Sequence, residues 1–157
     1  MQTQQIIIRR PEELAGKLLS LKAIDPQVLL VFGSVDHLSA PGLAETLCRE
    51  LPHAWPLGCS TAGEITPDGV DDGTCTITAL HFDQTPLTQG STRLSGMEDS
   101  FAAGERIGRQ IAAADLKAVL VFGPGVRING SALVDGMTSI IGGAIPITGG
   151  LAGDSRS

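Results

Sequence analysis

The sequence predicts an α/β domain with a mixed sheet, built from two internally repeated β-α-β units with added antiparallel strands. Three observations carry this. The run "VLLVFG" at 28–33 returns as "AVLVFG" at 118–123. Each copy is followed by a helical stripe and then by a second short apolar segment. Shifting the chain by about 90 positions lays Leu43 on Leu133, Pro56 on Pro146, Ala62 on Ala152, Gly63 on Gly153 and Glu64 on Asp154 without a gap. The repeat halves then cover about 23–64 and 113–154 of one domain spanning 1–157.

Taken in order, the N-terminal "MQTQQIIIRR" has too short an apolar run for a signal peptide. Pro11 to Leu21 carries Leu14, Leu18 and Leu21 at helical spacing. Val28–Phe32 is short, β-branched and bounded by glycine, the pattern of a strand buried on both faces and central in its sheet. From Ser39 to Leu51, Leu43, Leu47 and Leu51 fall four apart, with Ser39 as N-cap and Pro41 in the first turn. A second strand follows at Ala54–Leu57. "TCTITALHF" at 74–82 alternates as a strand should, and a looser strand is expected near 87–94. Asp99 to Ala114 is a helix with Phe101, Ile107 and Ile111 on one stripe. The second copy then supplies a central strand at Val119–Phe122, a helix from Asn129 to Ile141 ended by Gly142, and a strand at Ala144–Thr148. The first copy runs on past Glu64 through "PDGVDDG" whereas the second stops soon after "GGLAGD", so the chain reads as part of something longer.

Composition narrows the function. A formal net charge of −6, with no cluster of lysine or arginine, argues against nucleic acid as a partner. No window approaches the roughly 18 apolar residues of a membrane span. Three cysteines without paired spacing do not make a secreted disulfide framework, and a reducing cytoplasm fits them best. With 20 glycines and only 3% aromatic residues, recognition falls to backbone-rich loops rather than aromatic cages.

A β-α-β crossover makes its strands parallel, so the loops after both leave one sheet edge, the usual ligand crevice of open α/β sheets. That edge gathers Ser34 and His37 after the first strand with Cys59, Ser60, Thr61 and Glu64 after the second. The second copy contributes Arg127 and Asn129, then Gly149, Gly150 and Asp154. Paired acids can accept from a ligand ammonium, and Arg127 with exposed amides can hold a carboxylate, a set suited to a small zwitterion. The alternative is that each acid caps its own turn and Arg127 is a solvated loop charge. "GPGVRING" and "GGLAGD" lack the dinucleotide and P-loop patterns. A Cys59–His37 pair would give a hydrolase or transferase a nucleophile and base, but a third member is missing. Cys59 reads instead as a small turn residue whose counterpart under the repeat is Gly149. No pair of cysteines or histidines has zinc-type spacing, so no metal site is expected.

"GCSTAGEI" at 58–65, with "PITGGLAGD" at 146–154, resembles the N-terminal module of FIST domains. The resemblance implies a bacterial, cytoplasmic sensory domain that binds a small ligand such as an amino acid and works beside outputs such as a histidine kinase. It also implies a C-terminal FIST module beyond this chain. Some relatives are described as haem proteins that sense nitric oxide. Here the axial candidates are His37, His53, His81 and Cys59, with little aromatic wall for a porphyrin. The cofactor therefore stays open.

Overall fold

The computed structural model describes residues 1–67 and 69–153. They form two compact units, Met1–Thr85 with Gly153 in one and Pro86–Ala152 in the other.

The first unit is built on a four-stranded mixed sheet in the order β1-β6-β2-β3. β1 (Gln2–Ile8) and β2 (Val28–Gly33) both run antiparallel to β6 (Cys75–His81), while β2 and β3 (Trp55–Ser60) are parallel. β2 is central, as its unbroken apolar run requires, with Leu29 wholly buried. α1 (Glu13–Lys22) lays Leu14, Leu18 and Leu21 onto the core formed with Ile8, Leu29, Leu47 and Ile77. Burying each such leucine is worth about 1.5–3 kcal/mol. The crossover from β2 to β3 carries α3 (Leu43–Glu50), whose Leu47 points inward. Between β3 and β6 a short hairpin pairs β4 (Glu64–Thr66) with β5 (Gly69–Asp71).

In the second unit α4 (Ser100–Ile111), entered by a 3₁₀ turn at Met97–Asp99, packs on α5 (Gly130–Ile141). The two backbones come close: a Cβ on Gly104 would collide with Leu133 O and lie 2.8 Å from Met137 N. β7 (Val119–Gly123) and β8 (Ile147–Leu151) form a parallel pair around α5, over a core of Ala103, Ile111, Leu133 and Met137. Both expected β-α-β crossovers are therefore present, and the fold is α/β with a mixed sheet.

Several expectations are corrected. Ser39 does not cap α3: an extra turn, α2 (Val35–Leu38), intervenes, N-capped by Ser34, and Ser39 ends it. Gly42, at φ +92°, occupies the position before α3 and offers no side chain to cap it. β7 is one of a two-stranded pair rather than a central strand. The segment near 87–94 forms no strand, because side chains of α4 take its polar groups. Arg106 donates to Thr92 Oγ1 (2.8 Å) and Arg93 O (2.9 Å), and Gln110 to Ser91 O (2.9 Å). β1, whose residues suggested nothing beyond a failed signal peptide, is an edge strand that buries Ile6 and Ile8.

The repeat itself is offset by one residue in its second strands. Thr61 N donates to Gly33 O, and Ala152 N donates to Gly123 O. With Gly33 matched to Gly123, Thr61 corresponds to Ala152, so Ala62 corresponds to Gly153. By the same ladder Pro56 corresponds to Ile147 rather than to Pro146. Gly58 therefore matches Gly149, and a Cβ on either would collide with the carbonyl oxygen across the ladder, Val31 O or Val121 O. The counterpart of Cys59 is Gly150, around which a Cβ would meet nothing within 4 Å. The shared demand for a residue without a side chain falls on Gly58 and Gly149, one place before Cys59.

Candidate functional site

In the first unit the carboxyl end of β2 delivers Ser34 and His37. Ser34 Oγ accepts from His37 N (3.3 Å) and lies 3.1 Å from His37 Nδ1, which fixes the ring over its own helical turn. The other ring nitrogen, Nε2, is buried and has no hydrogen-bond partner among the described residues. Buried polar atoms are nearly always paired, which makes this atom an exception that asks for a reason.

Cys59 and Ser60 lie within β3 rather than after it, since the ladder with β2 runs to Gly33 and Ser60. Cys59 is half-buried, burial pushes its thiol pKa up, and among the described residues no hydrogen bond joins it to His37. Gly149 and Gly150 likewise lie within β8.

Thr61 and Glu64 follow β3. Glu64 is 1% exposed, with Oε1 accepting from Thr61 Oγ1 (2.7 Å) and Oε2 from Thr74 N (3.0 Å) and Thr74 Oγ1 (2.8 Å). This carboxylate is committed to joining the turn after β3 to the start of β6, not presented to a ligand. Nearby, burial first and the Glu64 charge second push the Cys75 thiol to about 12, so it stays neutral at ordinary pH.

In the second unit Asn129 caps α5, its side chain accepting from Ala132 N (3.0 Å), while Asn129 N donates to the buried Ser100 Oγ (2.9 Å). Arg127 is exposed on the loop between β7 and α5 and holds φ +58°, an unusual backbone for an arginine. That loop reaches the end of β8, where a Cβ on Gly125 would collide with Ala152 O. Asp154, expected beside these residues, lies outside the described residues.

A pocket of about 220 Å³ opens beside His37, between the start of α1 and the α2–α3 segment. Sequence reasoning found His37 but not this pocket. Its apolar wall comes from Ile8, Leu14 and Leu43, each readable only as core. The volume is below the roughly 300–1,000 Å³ of drug-sized sites, and a porphyrin does not fit it. His81 Nδ1 lies 2.8 Å from Asp25 O, and His53 is exposed.

Each unit is an α/β assembly that sets expected residues at or after the carboxyl ends of its own parallel strands, Ser34, His37 and Thr61 in the first and Arg127 and Asn129 in the second. The FIST N domain model matches residues 27–157, and the chain belongs to the FIST family, a signalling-associated group of sensory domains. β1 and α1 precede the matched residues. No curated protein matches the chain. Among the described residues no helix is long and apolar enough to cross a membrane.

Proposed function

We propose that this chain is a sensory input module that binds a small ligand, an amino acid or small carboxylate, and passes the bound state to a signalling output such as a histidine kinase. Family membership supports the sensory role, and the observation that supports ligand binding is the pocket of about 220 Å³ that His37 helps to line at the carboxyl end of β2. A non-enzymatic role fits Cys59, whose thiol is disfavoured as a thiolate by burial and, among the described residues, has no hydrogen-bonded base. A ligand that binds only the folded state raises the unfolding temperature. The test is a thermal-shift screen of amino acids and small carboxylates, run beside an assay for their consumption. Stabilisation without turnover supports the reading; turnover of a stabilising compound, abolished in Cys59→Ala, contradicts it.

A further inference from the structure

From two copies of one strand edge we infer that the outer edge of β7 is a docking site for an extended peptide segment of a partner, which adds to it as an antiparallel strand in the place that β6 holds on β2. The inference goes beyond the small-ligand reading and does not depend on it.

The edge is duplicated residue for residue. β2 ends in Leu30, Val31, Phe32 and Gly33, and β7 ends in the same four residues, Leu120, Val121, Phe122 and Gly123. Each strand carries a parallel neighbour on one side, β3 or β8. On its other side β2 carries β6, antiparallel, with Leu30 opposite Thr78 and Gly33 opposite Cys75. Among the described residues β7 carries no strand there. Val119 N donates to Pro146 O, and Gly123 O accepts from Ala152 N, both on the β8 side. Main-chain groups alternate along a strand, so those of Leu120 turn to the outer edge, and the residue is 41% exposed. An apolar strand edge without charge is a template for another chain.

Gly123 points the same way. A Cβ on Gly33 would lie 2.9 Å from Thr74 O and 3.0 Å from Cys75 Cα, so the approach of β6 requires a residue without a side chain. Gly123 holds the same place in its strand, yet a Cβ there would meet only the ends of the Ile128 (2.9 Å) and Leu151 (3.1 Å) side chains. Those ends can turn aside, whereas a backbone cannot. A strand laid on β7 as β6 lies on β2 gives Gly123 the reason that Gly33 has.

β6 also defines the chemistry of the occupant. Its Cys75, Ile77 and Ala79 are wholly buried in the core with the leucines of α1, and Thr76 and Thr78 alternate with them. The segment for β7 is therefore uncharged, with small or branched apolar residues alternating with hydroxyl residues. Main-chain hydrogen bonds supply the affinity of such an added strand, and its alternate side chains supply the selectivity.

The probe is a synthetic peptide of residues 74–82 carrying Cys75→Ala, titrated into the isotopically labelled 157-residue chain. NMR spectra follow each amide, and hydrogen exchange measures its protection. Saturable binding is expected, with the Leu120 amide shifted and protected by about tenfold or more while the Leu30 amide stays as it was. Ser34 N donates to Thr74 O, so the main chain of Thr78, four residues on, also turns towards β2. The same peptide with Thr78→Pro lacks that N–H and should not bind. In the chain, Leu120→Pro removes the donor of the edge itself at a position where an edge strand tolerates proline, and should weaken binding by about tenfold or more. Absence of saturable binding overturns the inference. So does binding that leaves the Leu120 amide unchanged, which puts the peptide elsewhere. A chain that self-associates with Leu120 already protected also overturns it, since a second copy is then the occupant.

Discussion

Replacing Gly58 by alanine should be among the most damaging single-methyl additions in the first unit. The new Cβ would collide with Val31 O and lie 2.6 Å from Val31 C and 3.0 Å from Val31 N. These are backbone atoms of β2, which is held by β6 on one side and β3 on the other. No rotamer change relieves the clash; either β3 shifts away or its ladder with β2 breaks. Overpacking that flexible side chains absorb costs about 1–3 kcal/mol, and a clash with fixed backbone belongs at or above the top of that range. At about 2–4 °C per kcal/mol for a chain of this size, Gly58→Ala should lower the unfolding temperature by about 6–12 °C. Gly150→Ala, at the place corresponding to Cys59 and with open space around it, should stay within about 0.5 kcal/mol of the parent. Thermal unfolding followed by circular dichroism compares the two. A Gly58→Ala protein as stable as the parent, with Gly150→Ala the damaged one, would refute the one-residue offset between the repeats.

Glu64→Ala should cost about 3 kcal/mol in denaturant titration, because it leaves the buried Thr74 N–H without an acceptor, whereas Glu64→Gln keeps an oxygen there and should cost less than half as much. Acid should weaken each unit through its own carboxylate. Hydrogen bonds from Lys17, then Arg9 N and Arg10, hold Glu13 at about 2 against 4.5 unfolded, so its contribution is complete above pH 4.5 and lost as pH falls towards 2. Arg106 holds Asp99 well below the usual carboxylate range in the same sense. Lys17→Met and Arg106→Met should each flatten the acid limb of a stability-against-pH curve, and an unchanged limb would remove these pairs from the account. In a timed alkylation read by mass spectrometry, exposed Cys48 should react first, half-buried Cys59 slowly, and buried Cys75 only on unfolding. Fast modification of Cys59 would show an activated thiol.

What was legible in the sequence was what hydrophobic periodicity encodes. The leucine stripes of α1 and α3 and the apolar runs of β2 and β7 recur in the structure because burial against a core sets both pattern and position. The start of α5 near Asn129 was legible for the same reason, standing where an apolar helical stripe begins, but that the Asn129 side chain caps the helix was not read from the sequence. The repeat register was not, because matching prolines record sequence identity whereas the ladder is set by backbone hydrogen bonds and by where Gly58 and Gly149 approach a facing carbonyl. α2 is four residues long, too short for any period, and its capping Ser34 looked like a loop hydroxyl. His37 was picked out by topology, but its pocket depends on α1 and on β1, a strand whose glutamine-rich start masks its pattern. The role of Glu64 depended on Thr74, ten residues on, which nothing in the local motif announced.

The most direct test of the central claim is a calorimetric titration of the 157-residue chain with the acids and amino acids that stabilise it in a thermal screen, followed by recovery of the ligand. Saturable binding of a compound recovered chemically unchanged is the result expected of an input module. A panel in which no small carboxylate or amino acid binds, or in which the bound compound is recovered as product, would contradict it.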